Sequence, residues 1–189
     1  MKHFGTKEIE TRNLFLRRFQ LDDAEKIFRN WTNDDEVTTY LMWPTHKDIN
    51  VTIGVLNNWI QNYKNDNFYL WAIVLKEIKE PIGSISIVKQ LDEIKMVHFG
   101  YCIGKKWWNK GITSEALKAL IKFFFEEVGV NRIESRYDLR NPNSGKVMQK
   151  CGMKYEGLKR QGDYNNQGIC DSVEYGLIAE EYFKEKSGS

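Results

Sequence analysis

The chain has little of what marks a membrane, secreted or metal-binding protein. Its 189 residues hold no apolar run near the ~20 residues that cross a bilayer. The opening stretch MKHFGTKEIETRN lacks an apolar signal-peptide core, so a cytoplasmic location is expected. The three cysteines, Cys102, Cys151 and Cys170, are odd in number, widely spaced and form no C-x-x-C pair. Reduced, partly buried thiols are the simplest expectation. The three histidines, His3, His46 and His98, are scattered, and no metal is expected. Net charge is only +2, which suggests neither a nucleic-acid nor a membrane partner. Neither G-x-x-x-x-G-K-[ST] nor G-x-G-x-x-G occurs, so P-loop and dinucleotide motifs are excluded. No internal repeat, low-complexity tract or interdomain linker is visible. Asn50-Val51-Thr52 matches a glycosylation sequon, which is discounted without a signal peptide.

What is present is ordinary for a globular protein, 41% hydrophobic and 29% charged. One domain over residues 1–186 is expected, with residues 187–189 a disordered tail. The best-specified stretch runs from Trp107 to Val128, WWNKGITSEALKALIKFFFEEV. Ahead of it the apolar run Met96 to Ile103 reads as a strand. Ala116, Leu117, Leu120, Ile121, Phe124, Phe125 and Val128 recur at helical spacing, and Thr113 or Ser114 can cap the helix. Glu115 lies in the first turn, where the helix dipole favours it. Gly111 permits positive φ or close backbone approach. The free first-turn N–H groups and the dipole make such a strand–loop–helix turn a cradle for a diphosphate. The plainer reading is a turn with a glycine and no ligand.

The remaining elements follow from periodicity. Strands are predicted over Thr11 to Phe19, Phe68 to Leu75, Pro81 to Val88, Ile94 to Ile103, Arg132 to Leu139, Lys154 to Lys159 and Gly168 to Ile178. Helices are predicted over Leu21 to Trp31, Lys47 to Tyr63 and Ala179 to Lys186, with a short helix capped by Asn143 or Ser144 that ends near Lys150. Gly152 suits the position after that helix. The three middle strands suggest an antiparallel meander. The strand at Arg132 is expected to lie parallel to its predecessor, because a helix joins them.

Two segments in order, W-x-x-G-x-x-[ST]-E-A and N-x-x-S-x-x-V-x-x-K-x-G-[FM], resemble the GNAT superfamily of N-acetyltransferases, and within it the RimJ/RimL branch that acetylates ribosomal-protein N-termini. The similarity runs from LRRFQLDDAEKIF to EGLKRQGDYNNQGICDSVEYGLI. It implies an α/β (α+β) acyltransferase fold, a mostly antiparallel sheet of six to seven strands flanked by about four helices. It implies acetyl-CoA as co-substrate, with its diphosphate on the backbone of Asn109, Lys110, Gly111, Ile112 and Thr113, beside Ser114. The family's splayed strand matches Tyr101, Cys102 and Ile103. Asn141 and Ser144 match its pantetheine-side asparagine and serine, and Lys146 and Lys150 fall at the phosphate rim. The sequence departs from the family pattern at Trp108, where Gln or Arg is usual, and at Thr113, where Gly or Ala is usual. Both lie where backbone does the binding.

The chemistry implied is direct attack of an amine on a thioester, without a covalent enzyme intermediate. The amine must be neutral, so a base or a water chain takes its proton. The oxyanion needs a donor, which a strand N–H can supply. Ser144 is the candidate partner of the leaving thiolate. Asp163 ranks first as base on the resemblance, His98 second on its ordinary titration range, and Glu36 third. Each has a plainer reading: a helix cap, a turn aspartate, a surface strand residue. Cys102 reads as packing. The expected acceptor is the N-terminus of a ribosomal protein; the alternative is a small amine, such as a polyamine or an antibiotic. A non-catalytic acetyl-CoA-binding domain is a second alternative. The cluster KKWWNK admits a third, single-stranded nucleic acid held by stacking and charge, against which the small net charge speaks. The assembly expected is a monomer or a homodimer.

Overall fold

The computed structural model describes residues 1–188. Eight strands form one sheet: β1 (Ile9–Glu10), β2 (Leu14–Arg17), β3 (Leu70–Leu75), β4 (Glu80–Leu91), β5 (Met96–Ile103), β6 (Arg132–Asp138), β7 (Lys154–Asn165) and β8 (Gly168–Ile178). Their spatial order is β1-β2-β3-β4-β5-β6-β8-β7. All neighbours are antiparallel except β5 and β6, which run parallel because a helix carries the chain between them. Six α-helices accompany the sheet: α1 (Ala24–Ile27), α2 (Asp35–Thr38), α3 (Ile49–Asn62), α4 (Ile112–Phe123), α5 (Pro142–Lys150) and α6 (Ala179–Ser187). The strand and helix counts exceed the expectation by short pieces, the two-residue β1 and the four-residue α2, which carry too few residues to show a period. Ser187 closes α6, and Ser189 lies outside the described residues.

Alternation along the strands separates two cores. Trp71 and Ile73 face one side with Leu14, Leu16, Val97, Phe99, Ile133 and the apolar face of α4. Leu70, Ala72 and Val74 face the other, against Ile27, Trp31 and Leu56 of the N-terminal helices. The period-two geometry of β3 is the cause, since both of its faces are buried.

α4 ends in a π-helical turn, Phe124–Val128, before Gly129 at φ +73°. Phe123, Phe124 and Phe125 are all buried there. Three consecutive residues of a regular α-helix point about 100° apart and cannot share one face; the wider turn brings them together. The sequence pattern had assigned only the last two to the core. The helix also starts two residues earlier than the Thr113 cap expected: Gly111, at φ +76°, is the N-cap, and Thr113 and Ser114 lie buried in the first turn. Likewise α5 is capped by Asn141, not by Asn143 or Ser144, because Pro142 takes the first helical position, where its missing N–H costs nothing.

Candidate active site

The site begins where two strands part. β5 and β6 pair from Met96↔Arg132 to Phe99↔Ser135. Beyond that β5 continues to Ile103 beside β4 alone, and β6 continues to Asp138 beside β8 alone. A wedge therefore opens between Gly100–Ile103 and Arg136–Asp138, and backbone groups of β5 on that edge have no strand to pair with.

A cleft of about 330 Å3 lies at this wedge. One wall is the turn from β5 into α4. Gly104 packs so closely that a Cβ would sit 2.2 Å from the Asn30 carbonyl oxygen and 2.7 Å from the Trp107 ring. Trp107 is thereby buried in the core, whereas Trp108 stays partly exposed and donates its indole N–H to the Ile103 carbonyl at 2.8 Å. Asn109 and Gly111 both take positive φ, +60° and +76°. This turns the chain so that Ile112, Thr113 and Ser114, the first turn of α4, line the cleft. Their N–H groups have no acceptor within the helix, and the helix dipole adds partial positive charge. Nothing lies within 4 Å of where a Cβ on Gly111 would be, so the loop is open on the ligand side. Lys110, Lys146 and Lys150 rim this end.

Glu115 anchors the turn from behind. Its Oε1 accepts from the Thr11 hydroxyl at 2.6 Å and the Asn13 N–H at 2.8 Å, and its Oε2 accepts from the Asn13 amide at 2.8 Å. Burial raises its pKa, but those hydrogen bonds outweigh it and the carboxyl is held below its ordinary range. Sequence reading had assigned this glutamate to the dipole alone.

The opposite wall is the start of α5. Gly145 lies against the Tyr137 ring, which a Cβ would meet at 2.6 Å. Tyr101 donates its hydroxyl to the Ser144 carbonyl at 2.9 Å, and the Asn141 amide donates to the Ser144 Oγ at 3.3 Å. Burial pushes the Tyr101 phenol well above its ordinary range, so it remains a neutral donor. Cys102 contacts the Ser84 hydroxyl at 3.3 Å, and burial keeps it a thiol. Tyr101, Cys102, Ile103, Asn109, Lys110, Gly111, Ile112, Thr113, Ser114, Asn141, Ser144 and Lys146 thus line one cleft.

His98 and Asp163 do not. His98 is buried on β5, 3.7 Å from Glu134, and burial first, then the Arg136 charge, lowers its pKa. Asp163 on β7 is engaged by Arg136, at 2.6 Å from Nε and 3.0 Å from Nη2. Neither lines the cleft. Of the three base candidates only Glu36 does, brought there by α2 and paired with Lys105. Sequence reading missed the rest of this end. Tyr40 and Leu41 join Glu36, and Arg140 lies over the Tyr40 ring, 5.8 Å from its centroid. Asn166, at the tip of the β7–β8 hairpin, donates to the Leu41 carbonyl from its backbone and to the Thr38 and Trp43 carbonyls from its amide. These contacts span more than 120 residues of sequence, and no local pattern signals them. Among the described residues no group of three or more His, Cys, Asp or Glu could hold a metal ion.

Comparison with known proteins places the chain in a family. Residues 13–154 match a family described as the Acetyltransferase (GNAT) domain. The chain is 29% identical over 170 residues to the uncharacterized N-acetyltransferase YoaA of Bacillus subtilis, covering 90% of this chain and 96% of that one. It is 27% identical over 109 residues to the [ribosomal protein uS5]-alanine N-acetyltransferase of Escherichia coli, covering 57% of this chain and 55% of that one. The crystal structure of a GNAT-family acetyltransferase from Bacillus anthracis superposes with a TM-score of 0.80 at 26% identity, over 93% of this chain and 100% of that one.

Proposed function

Because this chain belongs to the GNAT family of acetyltransferases, we propose that its cleft transfers the acetyl group of acetyl-CoA to the N-terminal amine of a ribosomal protein. The coarser activity follows from the family: the protein is an N-acetyltransferase, an acyltransferase that acts on amines. The observation that carries the finer reading of the cofactor end is the pair of positive-φ residues, Asn109 and Gly111, that aims the first turn of α4 into the cleft. Those amides suit a diphosphate, and Lys110, Lys146 and Lys150 suit its outer charge. Thr113 in place of a smaller residue is accommodated, since its side chain is buried in the turn while its N–H serves.

In this reading the thioester lies in the wedge between β5 and β6. An unpaired N–H of β5 faces the developing oxyanion. The amine nitrogen attacks the acetyl carbon, the C–N bond forms and the C–S bond breaks. Ser144, oriented by Asn141 and Tyr101, donates its hydroxyl hydrogen bond to the departing thiolate. The ammonium first gives one proton to solvent; of the two left on the neutral amine, one ends on the thiol and one stays on the amide nitrogen. This reading gives His98 and Asp163 no role, since neither lines the cleft. The ribosomal acceptor is supported by the partial likeness to the uS5-alanine enzyme. It implies a cytoplasmic enzyme, and among the described residues no helix is long and apolar enough to cross a membrane.

The test is calorimetric titration with acetyl-CoA, followed by thiol release with an alanine-initiated peptide of uS5, with spermidine and with a lysine-containing peptide blocked at its N-terminus. Binding of acetyl-CoA and acetylation of the peptide α-amine are expected. Transfer to spermidine alone would overturn the protein acceptor. Failure to bind acetyl-CoA would overturn the reading of the cleft.

A further inference from the structure

We infer that Glu36 sets the acceptor preference of this cleft by holding the acceptor's ammonium group. The inference rests on the proposed function, which gives the α2 end of the cleft to the acceptor, and deepens it by naming what that end recognises.

Charge divides the cleft. The end at α4 and α5 carries Lys110, Lys146 and Lys150, and no carboxylate lines it. The end at α2 carries Glu36, the sole carboxylate among the residues that line the cleft. Arg140 is also at this end, but its charge is already matched: two guanidinium hydrogen bonds, at 3.0 and 2.6 Å, tie it to the buried carboxylate of Asp138. That pair is fixed from several sides, because the Arg140 N–H and the Asn165 amide also donate to Asp138.

Glu36 differs in being exchangeable. Its Oε1 takes the Lys105 ammonium, and no other hydrogen bond to its carboxylate is formed among the described residues. Both members of the pair are largely exposed, 64% for Glu36 and 49% for Lys105. An exposed lysine–carboxylate pair is held weakly and screened by salt. A cation entering the cleft can therefore take Oε2, or displace Lys105 altogether, without leaving a buried charge unpaired. Tyr40, four residues on, lines the same cleft. An anionic acceptor would find the reverse, a carboxylate whose lysine partner is exposed and weakly held and an arginine already neutralised.

The ammonium chemistry is shared by a peptide N-terminus and by a polyamine, and the experiment separates them. With the protein saturated by CoA, which cannot react, calorimetry measures binding of an alanine-initiated peptide amide, of the same peptide acetylated at its N-terminus, and of spermidine. Wild type is expected to bind the free-amine peptide at least 10-fold more tightly than its acetylated twin. In Glu36→Gln the ratio falls to near one, while acetyl-CoA affinity stays within about twofold. In Lys105→Met the affinity for the free amine rises severalfold, because the internal competitor is gone; a merely structural ion pair would give a fall. A free-amine preference that survives Glu36→Gln, or a fall in Lys105→Met, overturns the inference. Tighter binding of spermidine than of the peptide, lost in Glu36→Gln, keeps the role of Glu36 and assigns it to a polyamine. Failure of wild type to bind acetyl-CoA would overturn the reading of the cleft and the inference with it, and is told apart from failure of the Glu36 role because CoA binding is measured first.

Discussion

At the scale of single residues, Ser144 and Asp138 show how one side chain is given its task by neighbours remote in sequence. Ser144 is oriented by Asn141 three residues before it and by Tyr101, which lies 43 residues earlier. Replacing it with alanine removes only the hydroxyl. Turnover in the thiol-release assay should fall by about 10-fold or more, with acetyl-CoA affinity within about twofold. Asp138 accepts from the Arg140 side chain and N–H and from Asn165. The Arg140 hydrogen bonds are the largest influence; they overcome burial and hold its carboxyl well below the usual carboxylate range. A carboxyl depressed in the folded state stabilises the fold above its unfolded pKa of about 4, and that contribution is lost as pH falls through the folded value. Asp138→Asn should cost about 1–2 kcal/mol at pH 7, discounted because Arg140 is half exposed. Urea unfolding should also show a shallower loss of stability below about pH 4 in the variant than in wild type.

At the scale of elements, the turn from β5 to α4 separates two uses of glycine. Gly104 is needed for space and Gly111 for its dihedral angle. A Cβ at Gly104 would lie 2.2 Å from backbone oxygen and within 3 Å of Trp107. One at Gly111 would meet nothing within 4 Å but would sit on a residue at φ +76°. Gly111→Ala should cost about 1–2 kcal/mol, the penalty of a left-handed conformation with a Cβ. Gly104→Ala should cost more, because α4 must move relative to the N-terminal helices. Thermal unfolding of the two variants orders them, and equal melting temperatures would contradict this division. The hairpin of β7 and β8 makes a similar point. Its first strand was expected to end at Lys159, yet β7 continues through Asp163 to Asn165, and Asn166 bonds the end of α2 and the loop that follows it.

At the scale of the whole molecule, stability is concentrated where α4 crosses the sheet. Phe124 is fully buried and meets Tyr69, Phe99 and Phe123 edge-on at 4.9, 5.3 and 5.3 Å between ring centroids. It ties β3, through Trp71, to β5, through Phe99, on one side of the wedge. Phe124→Ala should cost about 3–5 kcal/mol and lower the melting temperature by roughly 2–4 °C for each of those kcal/mol. The cleft is built on the same helix, so the variant should also weaken acetyl-CoA binding. A variant that melts like wild type would show that the cavity collapses freely.

The order and type of the main elements were legible in the chain because helix and strand periods are local properties. The apolar recurrence in α4, the alternation in β6 and the helix that forces β5 and β6 parallel need no distant contact to be recognised. So was the α4 and α5 end of the cleft, since the lining residues Asn109 to Ser114 and Asn141 to Lys146 fall in two short continuous segments. The acceptor end was not. The resemblance put Asp163 forward and the ordinary titration range put His98 forward, but Asp163 is held by Arg136 of another strand and His98 is buried beside Glu134. Glu36, Tyr40 and Arg140 line one end of the cleft, where Asn166 reaches the Thr38 carbonyl across 128 residues of sequence. Local sequence determined which backbone could bind a diphosphate; tertiary packing alone decided which charged groups face the cleft, because burial and pairing are properties of the assembled fold.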